Sequence, residues 1–209
     1  MLKIRNFSKS FNNHKIIGVE KLDIPEGIHW IKGVNGSGKS TFFRSLAGII
    51  PFDGEVELAG TDIRKDPVAY RFLINMSEAE PLYPDYLNAF DLITFIAEAK
   101  KAEAGQLDQL AEALGVSLYW KKPMGTYSSG MLKKVSLLTA FLGKPHLILL
   151  DEPLITIDEQ SAGVVYELIK DYHENKAVNF LLSSHQDFRL ERLSLGHTYL
   201  VQNQTIAVI

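Results

Sequence analysis

An eight-residue run, Gly33-Val34-Asn35-Gly36-Ser37-Gly38-Lys39-Ser40, constrains this chain more than any other feature. It satisfies G-x-x-x-x-G-K-[ST], and its flanks supply the context the motif requires. Apolar residues 27–31 read as a strand entering it, and residues 40–50 read as a helix leaving it. Phe42, Phe43, Leu46 and Ile49 have helical spacing there, and Pro51 with Gly54 stops the helix. Glycines are needed because backbone N–H groups must turn inward around phosphate oxygens, along a path that side chains would strain. Lys39 supplies a mobile cation for β and γ phosphates. Ser40 offers a hydroxyl to Mg²⁺, and the helix start adds its dipole and unpaired N–H groups. Asn35, Gly36, Ser37, Gly38, Lys39, Ser40 and Thr41 are therefore the candidate nucleotide-binding residues of the loop.

Leu147-Ile148-Leu149-Leu150-Asp151-Glu152 is a buried-strand pattern ending in two carboxylates. The carboxyl end of a strand is where α/β sheets place ligands. Asp151 is suited to hold Mg²⁺ through its water shell, and Glu152 to orient or deprotonate a water attacking a γ phosphate. The guanine-reading N-K-x-D run is missing, since Asn175-Lys176-Ala177 is followed by Val178. A small-molecule kinase would not need the second acid, so hydrolysis is favoured over transfer.

Further short strands are expected at 2–4, 16–22, 55–59, 72–76, 146–150 and 178–182, with a hairpin from 199–201 and 206–208. Between about 84 and 143 the texture is helical: Phe90, Ile93, Thr94 and Ala97 mark one amphipathic helix, Leu107 to Leu114 another, and 131–142 a third. Strands alternating with helices around a helical middle indicate α/β architecture, a parallel-sheet core with an inserted helical subdomain, read as one domain over 1–209. Hydrophobic residues make up 46% of the chain, enough for a substantial core, and 22 Lys and Arg against 25 Asp and Glu leave no basic excess to attract nucleic acid. The chain has no cysteine, which removes thiolate chemistry. No apolar run approaches the roughly 18 residues of a spanning helix.

Several segments together resemble the nucleotide-binding domain of ABC transporters, over essentially the whole chain. Tyr127-Ser128-Ser129-Gly130-Met131 lies where that family carries its L-S-G-G-Q signature, and Asp151-Glu152-Pro153 followed by Asp158 resembles its Walker B and D-loop run. His185 resembles the switch histidine, and Phe11 stands where the family puts an aromatic ring to stack on adenine. Ser129 and Met131 depart from the common signature. No Gln occurs between Ser40 and Gly105, so the place of the family's Q-loop glutamine falls to Glu78.

The resemblance implies a P-loop NTPase of the ABC type, with a RecA-like core, a small antiparallel β region and the inserted helices. It implies an Mg²⁺-dependent ATPase in which Glu152, His185 and Lys39 are catalytic. Phe11, Ser128, Gly130 and Asp158 would join the loop in binding ATP, and Ser40 and Asp151 would face the metal, with Glu78 either a third metal-facing ligand or a solvated surface acid. Two such domains, here a homodimer, would sandwich two ATP molecules head to tail and drive a separate transmembrane permease from the cytoplasmic face of the membrane. A soluble ABC-type ATPase acting on nucleic acid or ribosomes is the alternative. An inactive interaction protein keeping the fold is disfavoured by the presence of Lys39, Ser40, Asp151, Glu152 and His185.

Overall fold

The computed structural model describes residues 1–185 and 192–209. β1 (Leu2–Phe11) and β2 (His14–Ile24) form a long hairpin, where only two short strand runs were expected. Asn12 and Asn13 turn it at φ 47° and 63°, the left-handed pair that a two-residue hairpin loop requires and that asparagine tolerates. With β4 (Asp53–Leu58) and β5 (Thr61–Asp62) they make an antiparallel sheet in the order β2-β1-β4-β5.

The second sheet has six strands, in the order β10-β9-β3-β8-β7-β6. Its members are β3 (Ile28–Lys32), β6 (Ile74–Ser77), β7 (Leu147–Asp151), β8 (Asn179–Ser184), β9 (Thr198–Gln202) and β10 (Thr205–Val208). All neighbours are parallel except the final β9–β10 hairpin. Alternation along β7 explains its unbroken apolar run: Ile148 and Leu150 enter one hydrophobic cluster, Leu147 and Leu149 the other. The first cluster packs against helices α3 (Ala89–Ala99), α4 (Gln106–Ala113), α5 (Ser129–Ala140) and α6 (Glu159–Lys176). The second lies between the sheet, the antiparallel strands and α1 (Lys39–Leu46), through Phe42, Phe43, Ile4 and Val56.

Several boundaries differ from expectation. α1 ends at Leu46 because Gly48, at φ 70°, turns the chain. Residues 72 and 73 belong to α2 (Pro67–Leu73), started by Asp66, whose side chain accepts from Ala69 N, and by Pro67 in the first turn. β6 follows directly. α5 starts two residues before Met131, because Ser128 caps it by accepting from Met131 N at 3.2 Å. α6 was not foreseen, although Val165, Ile169 and Tyr172 repeat at helical spacing behind the cap Asp158.

Candidate functional site

The loop from Gly33 to Lys39 joins the carboxyl end of β3 to α1. Gly36 and Gly38 hold φ 77° and 106°, values that favour glycine, and Gly38 stands as the N-cap residue, where a Cβ would meet Ile16 Cγ2 of β2 at 3.3 Å. Lys39 folds back under the arch: its Nζ donates to Gly33 O at 2.7 Å and Val34 O at 3.1 Å and lies 3.9 Å from Glu152 Oε1. Burial lowers the lysine pKa, and the carboxylates of Glu152 and Asp151 oppose that shift.

Asp151 ends β7 and is 1% exposed; Ser183 Oγ on the neighbouring β8 donates to its Oδ1. Glu152 follows at φ 46°, a left-handed conformation that costs a non-glycine residue of the order of 1–3 kcal/mol. The turn is held by Glu152 N donating to Ser183 O at 3.1 Å, and it aims the carboxylate at His185. Oε1 accepts from the His185 backbone N–H and lies 3.0 Å from its Nδ1. The ends of β3, β7 and β8 thus bring Lys39, Asp151, Glu152 and His185 together. Among the described residues no group of three or more His, Cys, Asp or Glu side chains could hold a metal alone. The Ser40 hydroxyl at the start of α1 and the buried Asp151 carboxylate at the end of β7 are the oxygen groups of a type that suits a hard cation such as Mg²⁺.

Glu78 stands elsewhere in its bonding. Its two carboxylate oxygens take Arg44 Nε at 3.0 Å and Nη2 at 3.3 Å, so it forms a forked pair with α1 and is not offered to a metal in this conformation. Phe11 is 46% exposed at the end of β1 with Lys9 Nζ 4.4 Å from the ring centroid, so the ring is no part of the core. A cleft of about 540 Å³ opens between the loop tip, the start of β2 and the β9–β10 hairpin, with Ile16, Asn35, Gly36 and Gln204 among its walls; Phe11 does not line it.

Ser128, Gly130 and Asp158 form a second group. A Cβ on Gly130 would meet Thr156 O at 2.6 Å, so the start of α5 and the segment after Glu152 touch backbone to backbone. Asp158 caps α6, accepting from Ser161 N at 2.8 Å, and pairs with Lys134 of α5 at 2.8 Å. That lysine, with the Ser161 bonds, holds the carboxyl well below the usual range.

Compared with known families, residues 21–155 match the ABC transporter family. The chain belongs to that family. Among curated ABC transporter relatives, the molybdate/tungstate import ATP-binding protein WtpC of Thermococcus kodakarensis is 31% identical over 94% of this chain and 60% of its own length. The lantibiotic transport ATP-binding protein SrtF of Streptococcus pyogenes is 27% identical, over 95% of this chain and 87% of its own. The chain spans about 60% of the length of the first such relatives. An ATP-binding subunit of an ABC transporter superposes with a TM-score of 0.85 at 20% identity, covering all of this chain and 90% of that one. A dimeric ATP-binding cassette in a post-hydrolysis state, bound to ADP and Pi, does so at 0.81 and 19%, covering 99% and 96%. At these identities the superpositions establish the P-loop NTPase fold of ABC ATPases.

In this ABC transporter chain, the residues passed over at the sequence level are those that hold the others in place: Ser183 behind Asp151, Arg44 on Glu78, Lys134 on Asp158 and Thr156 against Gly130. Lys133 is one of two adjacent lysines, Lys133-Lys134, and nothing local in the sequence marks which of the two is buried.

Proposed function

We propose that the chain is one nucleotide-binding domain, an ATP-binding and ATP-hydrolysing subunit that powers transport through a separate membrane-spanning partner. The observation that carries this reading is the convergence of Lys39, Asp151, Glu152 and His185 on the ends of three adjacent strands. The helices between β6 and β7 are its inserted subdomain.

The glycine loop binds the triphosphate by its backbone N–H groups, and Lys39 turns its charge from the loop carbonyls to the phosphates. Ser40 and Asp151 would hold Mg²⁺, which when bound would supply charge neutralisation for the transferred group. Glu152 orients a water and accepts its proton as the water oxygen bonds to the γ phosphorus and the bond to the β–γ bridging oxygen breaks, leaving ADP and phosphate. His185, fixed on Glu152 through Nδ1, has only Nε2 to offer the substrate. The exposed Phe11 ring is the surface on which adenine stacks.

Ser128 and Gly130 stand at the start of α5, and a second copy docked head to tail would set them against its phosphate loop, each copy completing the other's site. The dimeric ATP-binding cassette that shares the fold is consistent with this arrangement. No helix among the described residues is long and apolar enough to cross a membrane. A partner chain spans it on this reading, with the ATPase at the cytoplasmic face. Cargo differs between WtpC and SrtF, so the partner chooses it.

The test is Mg²⁺-dependent ATP hydrolysis by the purified chain beside Lys39→Ala, together with co-purification from detergent extracts. Hydrolysis lost in Lys39→Ala and a polytopic membrane protein held in the wild-type complex are expected. Equal phosphate release by both proteins would sink the assignment.

A further inference from the structure

The buried face of α5 carries Val135, Leu137 and Leu138, and also Lys133, which is 0% exposed. Its ammonium donates to two main-chain carbonyls, Glu78 O at 2.6 Å and Asp151 O at 2.7 Å. One turn later Ser136 Oγ accepts from Glu78 N at 3.2 Å and shares a hydrogen bond with Ser77 Oγ at 3.0 Å. A single turn of α5 therefore holds both main-chain polar groups of Glu78 and the carbonyl of Asp151.

The place matters because it is where the sheet lets go. The β6–β7 ladder ends at the pair Ser77 and Leu150, and the next residue on each strand is Glu78 and Asp151. Beyond the last pair, the two carbonyls have no ladder partner between these strands, and Lys133 supplies donors to both. Two neutral carbonyls are a costly setting for a buried ammonium. Burial pushes its pKa down to about 8, against the pull of Asp151, Glu152 and Glu78. A methionine would fill the same space without that cost but would leave the Glu78 and Asp151 carbonyls without these donors.

We propose that Lys133 is a positioning residue for the hydrolytic site: it staples the exits of β6 and β7 to the helix that Ser128 starts, so that Glu78 and Asp151 keep their places together and move with that helix. The proposal rests on the ATPase reading above. It adds a physical link within one chain between the start of α5 and the carboxylates at the strand ends.

Two variants test it. Lys133→Met keeps the volume and removes every donor, and exchanging a buried charge for an apolar group of similar size generally leaves a fold intact. Lys133→Gln keeps two N–H donors without the charge. In the nucleotide-free protein, amide hydrogen exchange in the segments after Ser77 and after Leu150 should quicken about tenfold or more in Lys133→Met and stay near wild type in Lys133→Gln, with β3 unaffected in both. With Mg-ATP, kcat should fall about tenfold or more in Lys133→Met at nearly unchanged KM, and Lys133→Gln should recover most of it. Exchange that rises uniformly over the chain, a kcat equal to wild type in Lys133→Met, or a loss that Lys133→Gln does not recover would overturn the positioning role. If only Lys133→Gln can be purified, the same readouts apply, and global loosening there overturns it. A wild-type protein inert toward Mg-ATP would overturn the ATPase reading and the catalytic part of this one. Unchanged exchange in an active protein would overturn the role of Lys133 alone.

Discussion

One carboxylate oxygen, Glu152 Oε1, lies 3.0 Å from both the backbone nitrogen and Nδ1 of His185, so it fixes the ring and its peptide at once. The carboxylate accepts, so Nδ1 must donate, and any contact between the imidazole and a phosphate has to be made by Nε2. Glu152 thereby has two duties, as the candidate base and as the residue that sets the histidine tautomer.

Glu152→Gln separates those duties. The amide oxygen can still accept from His185, but the group can no longer take a proton, and hydrolysis should fall by about 10²–10⁴-fold with ATP still bound. Unhydrolysed ATP would then hold two copies together, and size-exclusion chromatography at saturating ATP should give a dimer. A monomer there would count against self-pairing and point to a different partner domain.

His185→Ala should lower turnover by roughly 10²-fold while ATP affinity changes little, because the ring is asked to act on developing charge and not on ground-state binding. Steady-state kinetics alongside equilibrium nucleotide binding give both numbers. Equal losses in the two would make His185 a structural support for the Glu152 turn.

The Arg44–Glu78 pair changes what is expected of Glu78. A carboxylate beside a triphosphate needs a compensating cation, and Arg44 already supplies one through two hydrogen bonds. Mg²⁺ titrations of the ATPase rate should therefore coincide for wild type, Glu78→Gln and Glu78→Ala. A higher Mg²⁺ requirement in Glu78→Ala would return Glu78 to the metal and mean that the pair opens when nucleotide binds.

Gly130→Ala places a methyl group 2.6 Å from Thr156 O, and Thr156 is itself held at φ 65°, where a β-branched residue has no room to give. Overpacking of this kind costs about 1–3 kcal/mol. Thermal unfolding should show a lower midpoint without any nucleotide present. An unchanged midpoint would mean that the two segments separate freely.

Stability should also fall in mild acid through His29. This ring is 2% exposed; its Nδ1 accepts from His197 N at 2.9 Å and its Nε2 lies 3.0 Å from Pro25 O, so it is held as the neutral tautomer protonated on Nε2. Burial lowers its pKa, with smaller like-charge contributions from His197 and His173, while the Pro25 and Glu26 backbone groups oppose them. The unfolded chain therefore binds this proton first, and the contribution, complete above the ordinary value of 6.5, is lost as pH falls through the lowered folded value. His146, lowered mainly by burial, acts in the same direction. Denaturant midpoints from pH 7.5 to 5 should decline in wild type and decline less in His29→Gln; parallel slopes would remove His29 from the cause.

Much of the site was legible because its parts are contiguous. Gly33 to Ser40 and Leu147 to Glu152 each carry strand, turn and chemistry in one short segment, and local pattern is enough to place them at strand ends. The hairpin turn at Asn12 and Asn13 and the helix behind Asp158 were equally local in their signals and were passed over, the first because its strands alternate weakly and the second because polar residues dilute its apolar spacing.

The phosphate loop, the acidic pair, the alternating α/β order and, through the order of five short motifs, the ABC family are all written in local runs of residues. What each charged group answers to is set by the folded arrangement. Glu78 meets Arg44, Lys133 meets Glu78 and Asp151, and His29 meets His197, across 34, 55, 18 and 168 positions of chain respectively. Such pairings follow from strand order and register in a parallel sheet, where neighbours in space are joined by long crossovers, and no local window of sequence carries that information.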